Sequence, residues 1–189
     1  MKNFNFSLFL SLFFLIILLP ESVDAKRINK KVDEQGVDMP KVRIASFKGD
    51  KACAISYTFD DALRDQSILA APMLEKYGFR GTFWAIPSMV PETEEEILTN
   101  SKKKWGGITW KRLKEMSDNG HEISNHGWSH KNLVNLKSEQ EIRAEIEKAD
   151  SLILLKIGKK PRTFCYPYNA FNDQVLAIAM ENRVDTRTR

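Results

Sequence analysis

Ala52-Cys53-Ala54-Ile55-Ser56-Tyr57-Thr58-Phe59-Asp60-Asp61 is an apolar, partly β-branched run that stops at two adjacent acids. Its length and composition predict a buried strand over Ala52–Phe59, with Asp60 and Asp61 at its carboxyl end. Working outward, Pro72 suits the first turn of a helix that stops at Gly78. A second strand is predicted over Gly81–Ile86 (GTFWAI), followed by a long insertion over 87–108 that should border any cleft at the strand ends. Thr109 can cap a helix ending at Gly120, and Trp110, Leu113 and Met116 give that helix one apolar face. His121–Ser124 reads as a third strand. Ser138-Glu139-Gln140-Glu141 is a capping box for a helix that buries Ile142, Ile146, Ala149 and Ile153. Thr163–Tyr166 reads as a fourth strand, Asp173 as the opening of another helix, and Arg183–Thr188 as the start of a fifth strand. This alternation predicts parallel βαβ units, in which chemistry collects at the carboxyl ends of the strands.

The start of the chain has a different character. Lys2, the apolar run Phe6–Leu19, Pro20 and the small-residue site Val23-Asp24-Ala25 together predict a secretory signal peptide over 1–25. The apolar run is shorter than the ~20 residues a spanning helix needs, so no stable membrane span is expected after cleavage. Residues 26–50 read as an extended lead-in, and 51–189 as one domain. The expected destination is the periplasm, the cell surface or the exterior. The formal net charge is +4, but Lys and Arg are interspersed with Glu and Asp. No long basic face results, and a nucleic-acid partner is not expected. Cys53 and Cys165 fall at different heights of the predicted sheet, by ~20 Å at the rise of a strand, so two buried free thiols are expected rather than a disulfide.

Three polar clusters fall at the predicted strand ends: Asp60-Asp61, His126 to His130, and Tyr166-Pro167-Tyr168. Adjacent carboxylates at a strand end point different ways, so one can bind a metal while the other receives a proton. The chain has 3 histidines, and two of them, His126 and His130, stand at i and i+4. On a helical turn that spacing lets two imidazoles share one ion. Two imidazoles with one carboxylate leave positions open for water and substrate, the pattern of a catalytic metal site. Arg162 is a permanent cation able to orient a carboxylate. The turn Tyr166-Pro167-Tyr168 can aim a backbone N–H at a developing oxyanion.

Thr58-Phe59-Asp60-Asp61, His126-Gly127-Trp128-Ser129-His130 and Arg162 through Tyr168 (RTFCYPY) together resemble three motifs of the polysaccharide deacetylases, carbohydrate esterase family four. Gly81-Thr82-Phe83-Trp84 and Gly120-His121-Glu122-Ile123 resemble the family's connecting strands, in the same order, so the likeness covers about 52–188. It implies an α/β fold, a distorted (β/α) barrel, here truncated at the C-terminus. It also implies a metal-dependent hydrolase that removes acetyl groups from N-acetylated polysaccharide. By position, Asp61, His126 and His130 would bind a divalent metal, Zn2+ above others. Asp60 would be the general base, Arg162 would hold Asp60, and the Tyr168 N–H would stabilise the oxyanion. The expected partner is an acetylated polysaccharide or oligosaccharide.

The chain departs from the family pattern in three places. Gly127 stands where Ser or Thr is usual. Asn169 stands where Gly is common, although Asn tolerates positive φ. The family also has a later Leu-x-x-His whose histidine is the general acid, and no histidine follows His130 here. Two alternatives therefore stay open: a non-catalytic glycan-binding relic of the same fold, and an esterase acting on O-acetyl xylan.

Overall fold

The computed structural model describes residues 47–99 and 107–188. The leader expected over 1–25 and most of the lead-in expected over 26–50 lie outside the described residues. The chain divides into two compact units, Met1–Ala52 and Cys53–Arg189. Of the first, residues 47–52 are described, with a turn in which the Asp50 N–H donates to the Phe47 carbonyl at 3.1 Å. All that follows concerns the second unit.

Five strands form one sheet in chain order: β1 (Thr58–Phe59), β2 (Thr82–Ala85), β3 (Glu122–Asn125), β4 (Thr163–Cys165) and β5 (Asp185–Arg187). Every neighbouring pair is parallel. The helices are α1 (Ala71–Lys76), entered through a π-helical turn at Gln66–Ala70, then α2 (Glu94–Thr99), α3 (Trp110–Asp118), α4 (Glu139–Ile157) and α5 (Asp173–Met180). The predicted caps are observed. The Thr109 and Ser138 side chains accept the N–H groups of Arg112 and Glu141, and Gly158 ends α4 in the left-handed region.

Alternation along each strand sorts its side chains onto two faces. Phe83, Ile123 and Phe164 point outward and pack under the helices. One core forms around Phe83, Leu113, Met116 and Ile153, and a second around Leu133, Ile146, Phe164, Tyr166 and Val175. The inner face is polar. The Thr82 and Thr163 hydroxyls donate to Glu122 at 2.8 and 3.1 Å, and the Trp84 indole N–H donates to Thr163 at 3.0 Å. The sheet curls enough for Arg187 of β5 to donate to the Thr58 hydroxyl of β1 at 3.2 Å, although these strands are the two ends of the strand order. The result is half of a barrel.

Several expectations are corrected here. Of the run Ala52–Phe59 only Thr58 and Phe59 pair as strand, and residues 53–56 are exposed, because β1 is an edge strand without a second neighbour. For the same reason Cys53 is exposed; both cysteines are free as expected, but only Cys165 is buried. The helix after β1 begins before Pro72, at the π-helical turn. The insertion over 87–108, of which 100–106 lie outside the described residues, also feeds the first core, where Val90 and Ile108 are buried.

Candidate metal site

Asp60 and Asp61 leave the carboxyl end of β1 in a sharp turn. Asp61 and Ala62 have φ of 70° and 52°, in the left-handed region that costs non-glycine residues energy. His130 (57°), Tyr168 (61°) and Asn169 (55°) share this conformation. Apart from Asp50, these are the non-glycine residues with positive φ among the described residues, and they cluster at three strand-end turns. Strain of this kind persists where the surroundings over-determine the backbone.

His126 and His130 do not lie on a helical turn as their spacing suggested. They span an irregular loop after β3. Gly127 has φ of 78°, a backbone conformation that glycine adopts freely and in which a side chain would be strained. The loop brings both Nε2 atoms to Asp61 Oδ1, at 3.4 Å from His126 and 3.6 Å from His130. These separations exceed a normal N–H···O bond. They match the roughly 3.3 Å edge of a tetrahedron built from zinc–ligand bonds of about 2.0–2.1 Å. Asp61 Oδ1 is buried and has no hydrogen-bond partner among the described residues, so a cation is the group that would satisfy it. His126 Nδ1–H donates to the Cys165 carbonyl at 2.8 Å, which leaves the Nε2 lone pair free for a metal. Burial is the largest influence on His126 and holds its pKa below the ordinary imidazole range, favouring the neutral, ligating form. The donor set fits a divalent ion.

A second convergence, of Asp60, His126 and Cys165, does not fit one. Burial, followed by the charge of Asp60, pushes the Cys165 thiol up to about 12. His126 Nδ1 is committed to a carbonyl, and Asp60 Oδ2 is ion-paired with Arg187.

That ion pair corrects the sequence reading of Arg162. Arg162 precedes β4 at its amino end, beside Gly120 and Lys160, and is exposed on the face away from the site. A side chain at one end of a strand cannot reach a carboxylate at the other. Arg187 holds Asp60 from across the curled sheet, stacked 4.4 Å from the Trp84 ring and donating to Cys165 Sγ at 3.0 Å. The signal in the sequence was only a cation in a predicted fifth strand. Asp60 Oδ1 stays buried and unpartnered among the described residues. Tyr168 sits beside the site, its ring centroid 4.7 Å from that of His130, and it occupies the turn after β4 that the sequence predicts. An open groove runs from His130 and Tyr168 past Asn132, Asn135 and Leu136. Trp84 and Trp110 are buried, Trp128 is half-buried, and Trp105 lies outside the described residues.

A family model described as polysaccharide deacetylase matches residues 48–186. Chitin deacetylase 1 of Cryptococcus neoformans var. grubii is 30% identical over 124 residues, 66% of this chain and 23% of its own length. Peptidoglycan-N-acetylmuramic acid deacetylase PdaC of Bacillus subtilis is 26% identical over 167 residues, 84% of this chain and 31% of its own length. Among solved structures, a mutant with restored activity of a CE4 family pseudoenzyme from Bacillus anthracis aligns with TM-score 0.53 and 25% identity, over 69% of this chain and 42% of that one. The chain thus spans under a third of the length of both curated relatives. The curled parallel sheet is the fold of these deacetylases.

Proposed function

Because the chain belongs to the polysaccharide deacetylase family, we propose that it carries the metal site of an exported hydrolase that removes acetyl groups from an N-acetylated polysaccharide. The observation behind this reading is the convergence of Asp61, His126 and His130 on one buried, unpartnered carboxylate oxygen. A divalent ion held there, zinc by the chemistry of one carboxylate and two imidazoles, would supply Lewis acidity to a water and to the acetyl carbonyl. Asp60 is assigned as the general base, with Oδ1 free to take a proton while Arg187 fixes Oδ2. The Tyr168 N–H is assigned to the developing oxyanion. The names of the matched relatives support an acetylated amino-sugar polymer as substrate, and the leader-like start of the chain supports export.

The same site could serve a glycan-binding relic, and one observation favours that second reading: the solved relative from Bacillus anthracis is a CE4 family pseudoenzyme whose activity had to be restored by mutation. Zinc content and acetate release, measured on the chain beside His126→Ala, separate the two. The expected result is close to one zinc per chain, lost in the variant, with acetate released from N-acetylated oligosaccharides. Zinc uptake without acetate release would favour the relic. Faster release from O-acetyl xylan would reassign the substrate, and a folded protein that takes up no zinc would sink the metal reading.

A further inference from the structure

Glu145 is a buried acid with no part in the proposed chemistry. It lies on α4, on the face that carries Ile142, Ile146 and Ala149 into the interior, and is 6% exposed. A carboxylate so placed is costly unless its oxygens are bonded. The partners of Glu145 all come from the loop that holds the two histidines. The Ser129 N–H donates to Oε2 at 2.9 Å, and the Ser129 hydroxyl donates to Oε1 at 2.9 Å. Lys131 Nζ reaches Oε1 at 3.0 Å, and the Trp128 N–H donates to the Glu145 backbone carbonyl at 2.8 Å. One side chain therefore grips the residues on both sides of His130, the residue whose own backbone is in the left-handed region at φ 57°.

The other end of the loop has its own anchor. Asn125 Oδ1 accepts the Gly127 N–H at 2.6 Å, while its amide donates to the Ile146 carbonyl at 2.8 Å and to Asp150 at 2.7 Å. Asp150 is in turn held by both its oxygens against Arg183 at 2.6 Å. The His126 end is thus fixed independently of Glu145.

We propose that Glu145 is a positioning residue that presets the His130 imidazole for the metal, holding the loop in its strained conformation before any ion arrives. This rests on the reading of Asp61, His126 and His130 as the metal ligands. Without Glu145, His126 would stay on the Cys165 carbonyl while His130 became free to leave the site, so the ion would keep two firmly placed ligands of three.

The test compares the full chain with Glu145→Ala and Glu145→Gln. Zinc affinity is read by competition with a chromophoric chelator, and ligand geometry by the visible absorption of the cobalt-loaded protein. Glu145→Ala is expected to weaken zinc about 10–100-fold, as loss of a residue orienting a ligand typically does, and to alter the cobalt spectrum. Glu145→Gln, which keeps a carbonyl acceptor for Ser129, should lie between the two and serves alone if the alanine variant does not fold. Wild-type affinity and an unchanged cobalt spectrum in a folded variant would overturn the proposal, because a merely structural role moves stability and not these readouts. If wild type itself binds neither ion, the metal reading fails, and the clamp is judged on metal-free protein by amide exchange. Faster exchange at Ser129 in Glu145→Gln, with α4 unchanged, would uphold the clamp, and equal protection would refute it.

Discussion

The two oxygens of Asp60 are in different states. Oδ2 is ion-paired with Arg187, and Oδ1 is buried without a partner among the described residues. An asymmetric carboxylate of this kind suits a base in the proposed reaction, since one oxygen is fixed and the other is free to receive a proton. Arg187 bonds to Thr58, Asp60 and Cys165 and not to Asp61, His126 or His130, so its loss should separate catalysis from metal loading. Arg187→Met is expected to lower kcat for acetate release by roughly 10²-fold, the lower end of what a positioned general base contributes, with zinc content unchanged. Arg162→Met should leave both unchanged, because Arg162 is at the other end of β4. Assays of acetate release and metal content on the two variants check this, and a damaging Arg162→Met would restore the role that sequence adjacency suggested. Arg162 was the visible choice in the sequence because it belongs to the same motif as Tyr168; Arg187 was not, because its contact with Asp60 depends on how far the sheet curls.

Between elements, His121 joins β2, β3 and α1. The Gly81 N–H donates to His121 Nδ1 at 3.0 Å, and Nε2 lies 3.1 Å from Glu75 Oε1. One ring nitrogen must accept and the other donate, which requires the neutral imidazole. Burial is the largest influence and holds the His121 pKa below its ordinary value of 6.5, even though Glu75 pulls it upward. Burial pulls the Glu75 carboxyl upward, but hydrogen bonds from Asn119 and His121 outweigh it and hold Glu75 below 4.5. Both groups bind protons more readily when unfolded, so each stabilises the fold more as pH rises. The His121 contribution is complete above pH 6.5 and is lost as pH falls through its depressed folded value. The Glu75 contribution follows, complete above pH 4.5 and lost below. The urea midpoint should therefore drop as the solution is acidified from pH 6.5, with a shallower drop in His121→Asn. Equal pH slopes in the two proteins would contradict this account. The sequence marked His121 only as the start of a strand. Its ring partners are 40 and 46 residues away, and no local pattern shows them.

At the scale of the molecule, the proposed ion would join parts of the chain that are otherwise connected through the sheet. Asp61 follows β1, an edge strand of two residues, whereas His126 and His130 follow β3 in the interior of the sheet. An ion bound only by the folded state stabilises it by mass action, by about 2.7 kcal/mol at a free concentration 100 times the dissociation constant and about 4.1 kcal/mol at 1,000 times. Stripping the metal with a chelator should lower the unfolding free energy by those amounts, and His126→Ala should show no such chelator effect. Denaturant titrations at buffered free zinc measure it directly.

The sequence by itself determined the order of the five strands and of the helices α1, α3, α4 and α5, though not the short α2 inside the insertion, together with the two caps at Thr109 and Ser138 and the three turns that carry Asp60-Asp61, His126 to His130 and Tyr166 to Tyr168. These are local properties, written in periodicity, capping chemistry and the residues that end strands. Only the tertiary structure decided that the run before Asp60 is an exposed edge, that the histidine loop is irregular, that Arg187 rather than Arg162 holds Asp60, and that Glu145 grips the loop from α4. Each of these depends on which elements become neighbours once the sheet curls. That curl arises from strand twist accumulated over the whole sheet, a quantity to which every strand contributes and which no single segment of sequence displays.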